Sequence, residues 1–230
     1  MAFDLDGNKL ILASKSPRRQ FLLKELGIPF ELVTKDVDEN FPFELKAEQI
    51  PLYLSKKKTE AFIDDIDEYS IVLTADTIVW INGHVLNKPA NEFEAIAMLK
   101  EMQGTTHEVF TGVTIYSMMN EISFSVRSEV EFHPLTDDQI KKYIAEKKPF
   151  DKAGAYGAQE CLAPGFDPTS AEEKTFLDSI GKTSLIQNCI PSASVPNEFA
   201  IVKSIKGSYF NVMGLPVKET YESLEKFIVD

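Results

Sequence analysis

Apolar residues fall along the chain in two rhythms. Short unbroken runs such as Leu10-Ile11-Leu12-Ala13 and Ile71-Val72-Leu73 suit strands covered on both faces, whereas apolar positions three and four apart suit helices lying on a sheet. Lys9 to Ser14 is accordingly predicted as a buried strand. Pro17 to Leu26 follows as a helix, with Ser16 as N-cap, proline at its first position and Gly27 as its stop. A second strand is expected over Phe30 to Lys35, then an acidic turn over Asp36 to Asn40. Glu48 to Ile63 reads as an amphipathic helix with Lys56, Lys57 and Lys58 on or near its exposed side. Ser70 to Thr77 reads as a third strand that runs out in Ala75-Asp76-Thr77, and Asn82-Gly83 between apolar residues predicts a hairpin over Val79 to Leu86.

Farther along, Asn91 to Met102 is expected as a helix capped by Asn91. Val109 to Tyr116 and Ile122 to Phe132 alternate like paired antiparallel strands, and Thr136 to Glu146 reads as a helix with Thr136 as N-cap. From Glu160 to about Asn197 the chain is rich in Pro, Ser, Thr and Glu and weakly periodic. It reads as a long insertion or lid with one short helix near Ala171 to Ile180. Phe199 to Val212 is predicted as two strands turning at Lys206-Gly207, and Pro216 to Ile228 as a closing helix. Early alternation of strands and helices, with antiparallel strands later, predicts a mixed α/β fold. No linker separates independent domains.

Composition narrows the classes of function. A hydrophobic fraction of 43% over 230 residues supports a real core. The formal net charge of −12 repels polyanions, so neither nucleic acid nor an anionic membrane is expected as a partner. Any phosphate must then be held by a local basic pocket. No apolar stretch approaches the length of a membrane span, and MAFDLDGNKL has no signal-like apolar region, so a cytoplasmic location is expected. Cys161 and Cys189 form no CxxC pair and are expected to be reduced thiols.

Four stretches carry candidate chemistry. Arg18 and Arg19 sit in the first turn of a helix, where free N–H groups and the positive dipole end already favour an anion. Adjacent helical residues diverge by about 100°, so one arginine would reach a ligand phosphate while the other braces the fold. The alternative is a helix start with two solvated arginines. Asp76 at a strand end could hold a hard cation or accept a proton, or simply cap a turn. Asp38-Glu39 would complete a cation site if it converged on Asp76; by itself it reads as a solvated loop. Lys58 and Lys88 are candidate phosphate contacts, although a lysine run is ordinarily a solvated face. Asp151 to Gln159 is a small-residue loop that lets backbone approach a ligand, and the Gln159 amide can pair with a base edge. Gly181-Lys182-Thr183 is not a phosphate loop, because Phe176 replaces the first glycine. His84, His107 and His133 lack metal-ligand spacing.

The ordered set "LASKSPRR", "TADTIV", "NKP", "DKAGAYGAQ" and "NVMGLP" resembles the Maf family of nucleoside triphosphate pyrophosphatases, also called septum formation inhibitor proteins, from about Lys9 to Ile228 except for the segment after Gln159. The resemblance implies a single domain, 1–230, of mixed α/β fold with a partly antiparallel sheet and flanking helices. That domain would be bilobed around a central cleft, similar to the inosine triphosphatase fold. It implies Mg²⁺-dependent cleavage between the α and β phosphates, with Mn²⁺ or Co²⁺ as other possible metals. The family pattern falls on Ser14, Ser16, Arg18 and Arg19 for substrate, Glu39 and Asp76 for metal, and Lys58, Asp76 and Lys88 for catalysis. Arg18, Thr77 and Gln159 match the branch acting on dTTP and UTP; the other branch carries an aromatic residue, a glutamine and a glutamate there.

A house-cleaning hydrolase of pyrimidine triphosphates, modified ones included, is therefore expected. The alternative is a nucleotide-binding regulator of cell division that works through a protein partner without catalysis. One departure stands out: residues 160–197 replace a short glycine-containing link. That atypical insertion could cover the base pocket, join a homodimer interface or simply be disordered.

Overall fold

The computed structural model describes residues 3–191 and 197–229. Its frame is one seven-stranded mixed sheet: β1 (Lys9–Leu12), β2 (Glu31–Leu32), β3 (Ser70–Ile81), β4 (His84–Leu86), β5 (Thr106–Tyr116), β6 (Glu121–Phe132) and β7 (Val202–Lys206). The strands run in the order β2-β1-β3-β5-β6-β7, with β4 beside the far end of β3. β1 is parallel to both β2 and β3; every other pairing is antiparallel.

The two sheet faces are covered unequally. Helix α2 (Gln49–Glu60) lies on one face, where Ile50 and Leu54 pack with Ile78 and Phe110. The opposite face carries the main core, with α1 (Pro17–Leu26), α3 (Glu92–Met102), α4 (Asp137–Lys147), α7 (Tyr209–Met213) and α8 (Val217–Val229) contributing to it. Strand alternation sorts β3 between these environments: Ala75 and Val79 belong to the main core, while Ile78 turns toward α2.

Local signals act as expected at most helix ends. Ser16 caps α1 by accepting from the Arg19 N–H, and Gly27 ends that helix at φ 77°. Asn91 caps α3, and Thr136 with Gln139 forms a reciprocal capping box on α4. The β3–β4 hairpin turns at Asn82 and Gly83, both at positive φ.

Three expectations are corrected. The second strand is only Glu31–Leu32, exposed at the sheet margin. β3 does not stop at Thr77 but continues to Ile81, because β5 pairs with it through Trp80↔Glu108. Phe199 to Val212 is one strand, β7, followed by helix α7. Ser208 caps α7 and Gly214 closes it at φ 111°, so the apolar run Tyr209-Phe210 wraps into a turn of helix instead of alternating along a strand.

Segment 160–197 is packed into the fold over its described part. It holds α5 (Ala171–Ser179) and an unanticipated helix, α6 (Ser184–Cys189). Cys161, Leu162, Leu177 and Leu185 are fully buried in the main core. Glu173 on α5 is buried as well, and its carboxylate accepts from the Ser170, Tyr209 and Phe210 N–H groups and from the Ser208 hydroxyl. One side chain thereby caps α5 and ties it to the start of α7. Both cysteines are free thiols, and burial pushes each up to about 12, which keeps them protonated and unreactive.

His107 lies in the core with its Nε2 2.8 Å from the Tyr156 hydroxyl and its ring edge-on to Phe132. Burial lowers its pKa to about 3. Below pH 6.5 the unfolded chain therefore binds a proton that the folded chain refuses, and folding stability falls by about 1.4 kcal/mol per pH unit until the folded-state value is reached. Between pH 7 and pH 5, urea unfolding is expected to show a loss about 2 kcal/mol larger for the native chain than for His107→Gln, which has no titrating ring. Equal losses would remove His107 from the acid sensitivity.

Candidate active site

The cleft arises where β1 ends and β3 goes on. The parallel ladder stops at Leu12↔Leu73, the Ala13 N–H adds a last bond to the Leu73 carbonyl at 2.9 Å, and the chain then turns away into α1. Beyond Leu73 the flank of β3 facing β1 is left open. Side chains from both faces of β3 reach this gap, a cleft of about 360 Å³. Asp76 is thus not at the carboxyl end of its own strand, as expected, but beside the carboxyl end of β1. All ten sequence-predicted site residues line this one space: Ser14, Ser16, Arg18 and Arg19 after β1, Glu39 and Lys58, Asp76 and Thr77 on β3, and Lys88 and Gln159.

On the α2 face, Asp76 is buried and accepts from Lys58 at 2.5 Å. The Lys58 ammonium also lies 2.9 Å from Glu39, and Lys88 approaches the other Glu39 oxygen at 3.4 Å. Glu39 is half-buried, and that burial raises its pKa; Lys58 and Lys88 together outweigh the effect, so the net shift is downward and Glu39 is a carboxylate at neutral pH. The lysine run divides by helical geometry. Lys56 pairs with Glu121 and Lys57 with Asp38, both outside the cleft, while Lys58 points into it.

What aims Lys58 is the seat of α2 on the sheet. The Ser55 and Thr114 hydroxyls meet at 2.9 Å, Thr59 and Thr74 at 2.8 Å, and Thr74 donates to the Ser55 carbonyl at 2.7 Å. Buried polar pairs of this kind set the rotation of the helix, since misalignment would strand each hydroxyl without a partner. Directly opposite Asp76 on β5 is Gly112, and a Cβ there would stand 2.4 Å from the Pro51 carbonyl group.

On the other face, Arg19 is the bracing arginine. It donates to the Gly214 carbonyl at 2.7 Å, Thr77 Oγ1 at 2.9 Å and Ser14 Oγ at 3.4 Å. Burial lowers its pKa to about 10, with Asp76 resisting and Arg18 adding to the fall, so it stays charged at neutral pH. Arg18 donates through Nε to the Met213 carbonyl at 3.2 Å. The "NVMGLP" stretch therefore acts through its carbonyls. Thr77 is held twice, by Arg19 and by the Thr111 hydroxyl at 2.9 Å.

The small-residue loop closes the third side. Gly154 adopts φ 66°, and a side chain there would meet Val79 at 2.9 Å. Gln159 follows on a short 3-10 turn, Ala158–Glu160, and its buried Oε1 has no hydrogen-bond partner among the described residues. Lys152, not singled out in the sequence, is buried in the cleft wall between Asp151 at 2.9 Å and Glu160 at 3.7 Å. Its signal was a lone cation in a run of small residues. Lys15 and Lys35 also line the cleft, which carries seven basic side chains against four acidic ones. In a chain of net charge −12, this is a local reversal of sign.

Two carboxylates, Glu39 and Asp76, meet around one ammonium group, an all-oxygen donor pair that suits a hard divalent cation taking its remaining ligands from phosphate and water. The described residues contain no cluster of three or more His, Cys, Asp or Glu arranged to hold a metal by themselves. The residues fit a cation shared with a bound anion.

Comparison with known proteins gives a consistent result. The family model described as Maf-like protein matches residues 9–175. A dTTP/UTP pyrophosphatase of Phocaeicola vulgatus is 40% identical over 227 residues, covering 98% of this chain and 100% of its own. One of Cytophaga hutchinsonii is 41% identical, covering 96% and 85%, and one of Carboxydothermus hydrogenoformans is 39% identical, covering 95% and 98%.

Proposed function

The chain belongs to the family of Maf-like proteins, and from that premise we infer that it is a nucleoside triphosphate pyrophosphatase that hydrolyses dTTP and UTP to the monophosphate and pyrophosphate. The observation that carries this reading is the convergence of Asp76, Lys58 and Glu39 on one wall of a cleft whose lining is basic in an acidic protein. The names of relatives about 40% identical over nearly the whole chain support the substrate class.

In this reading the triphosphate lies along Arg18, Lys58 and Lys88, whose charges offset its own, and Arg19 holds Ser14, Thr77 and Gly214 in place behind it. Asp76 accepts the proton of the attacking water. The new bond joins water oxygen to the α-phosphorus, the bond from that phosphorus to the bridging oxygen breaks, and pyrophosphate leaves with the electron pair. Lys58, in contact with Asp76, keeps the carboxylate oriented and stabilises charge building on the phosphate. A bound Mg²⁺, held by Glu39 and Asp76, would neutralise phosphate oxygens and lower the pKa of the nucleophile. The Gln159 amide, one donor and one acceptor, matches the N3–H and O4 edge of uracil or thymine, and its unpartnered Oε1 supports that assignment.

No described helix is long and apolar enough to cross a membrane, and two free thiols agree with a cytoplasmic setting. Pyrophosphate release measured with Mg²⁺ across UTP, dTTP, CTP, GTP and ATP is expected to favour UTP and dTTP by at least about tenfold over the purines. Nucleotide binding without turnover would leave a non-catalytic regulator as the better reading, and purine preference would overturn the role of Gln159.

A further inference from the structure

Beside the main cleft is a second recess of about 230 Å³ that shares Pro17, Arg18, Gln159 and Met213 with it and is completed by Phe21, Asn188 and Cys189. Gln159 thus stands between a polar chamber lined by the phosphate-facing cations and a smaller chamber whose walls are mostly apolar. The last two residues come from α6, inside the segment that follows Gln159.

This wall is built into the fold. Asn188 donates to Glu25 on α1 at 2.7 Å, so its amide is committed to the helix that carries the arginine pair. Tyr209 donates to the Cys189 carbonyl at 3.0 Å, which fixes the end of α6, and Leu185 anchors the helix in the main core. With the Asn188 Nδ2 engaged by Glu25, and Arg18 held through Nε by the Met213 carbonyl and assigned above to phosphate, the apolar faces of the recess belong to Phe21, Met213, Pro17 and Cys189.

Resting on the pyrimidine reading above, we propose that this recess is the subsite for the C5 substituent of the base and that α6 sets its size. In a pyrimidine, N3, C4 and C5 are consecutive ring atoms. An amide holding the N3–H and O4 edge therefore has the C5 group as its immediate neighbour, and this recess is a space beside Gln159 that opens outside the phosphate-facing cleft. Thymine and uracil differ only at C5. An apolar recess with room to spare accepts both and extends acceptance to larger C5 groups, while Cys189 and Phe21 set the limit.

The test compares kcat/KM for 5-iodo-UTP with that for UTP in the same preparation, so that any loss of folded protein cancels in the ratio. Cys189→Leu, which fills the recess, is expected to lower the ratio at least tenfold, the scale on which a hydrophobic pocket discriminates one or two methylene-sized groups. Phe21→Ala, which opens the recess from its α1 wall, is expected to raise the ratio of 5-propynyl-UTP to UTP at least threefold. Ratios unchanged in both variants, with UTP still turned over, overturn the subsite alone. A native enzyme that prefers purine triphosphates overturns the pyrimidine reading and this inference with it.

Discussion

Asp76→Asn is expected to lower kcat for UTP by about 10³-fold while leaving the unfolding midpoint nearly unchanged. The substitution keeps the shape of the side chain and can still accept from Lys58, so the seat of α2 survives. It removes the negative charge that takes the proton and the hard oxygen donor that would share a cation with Glu39. Asp76 is 8% exposed, in the middle of a continuous ladder with β5, so it has little freedom to be replaced by a neighbour. Steady-state pyrophosphate release alongside thermal unfolding decides the matter. A kcat within tenfold of the native value would remove Asp76 from the chemistry.

Gly112→Ala is expected to cost about 3 kcal/mol of stability and to reduce kcat/KM by 10-fold or more in the molecules that fold. Two effects compete. Alanine in a strand gains roughly 0.5–1 kcal/mol over glycine through chain entropy, but its Cβ would stand 2.4 Å from the backbone carbonyl of Pro51 and 2.5 Å from the Leu52 nitrogen. Backbone cannot rotate out of the way as a side chain can, so the helix must lift, and the clash wins. Lifting α2 breaks the Ser55–Thr114 and Thr59–Thr74 pairs and draws Lys58 off Asp76. Urea unfolding and UTP turnover on the same samples test both halves; a stable, fully active variant would show that α2 is not seated on Gly112.

The second of these effects had no signature in the linear chain. Gly112 stands in an ordinary strand run, and only the pairing of β5 with β3 puts it opposite Asp76 and under Pro51. Arg18 and Arg19 were legible as a pair because capping by Ser16 and the start set by Pro17 are local. Which of them braces the fold was not, since the carbonyls of Met213 and Gly214 are almost two hundred residues away. Lys58 looked like part of a solvated run for the same reason: periodicity tells which lysines share a helix face, but not where the sheet stops covering that face.

Two of the corrected elements share one physical cause. Tyr209 to Met213 has apolar residues that would suit a strand, yet Glu173 from α5 caps the N–H groups of Tyr209 and Phe210 and makes a helix the cheaper conformation. Thr77 looked like the end of a strand because polarity rises there, but β5 supplies partners as far as Trp80. In both places a group distant in sequence satisfies backbone polar atoms that local propensity cannot.

What the sequence by itself determined locally is the α1 start, the caps of α3 and α4 and the hairpin at Asn82-Gly83, with the mixed α/β class following from the order of elements; the ten candidate site residues came from the resemblance of its ordered motifs to the Maf family. Tertiary structure alone decided that β1 stops short of β3, that α6 walls the recess beside Gln159, and that Lys58 turns inward. These are consequences of which strand pairs with which and where one ends before its neighbour does, and such pairings are set by packing and hydrogen bonding between residues far apart in the chain, to which local periodicity is blind.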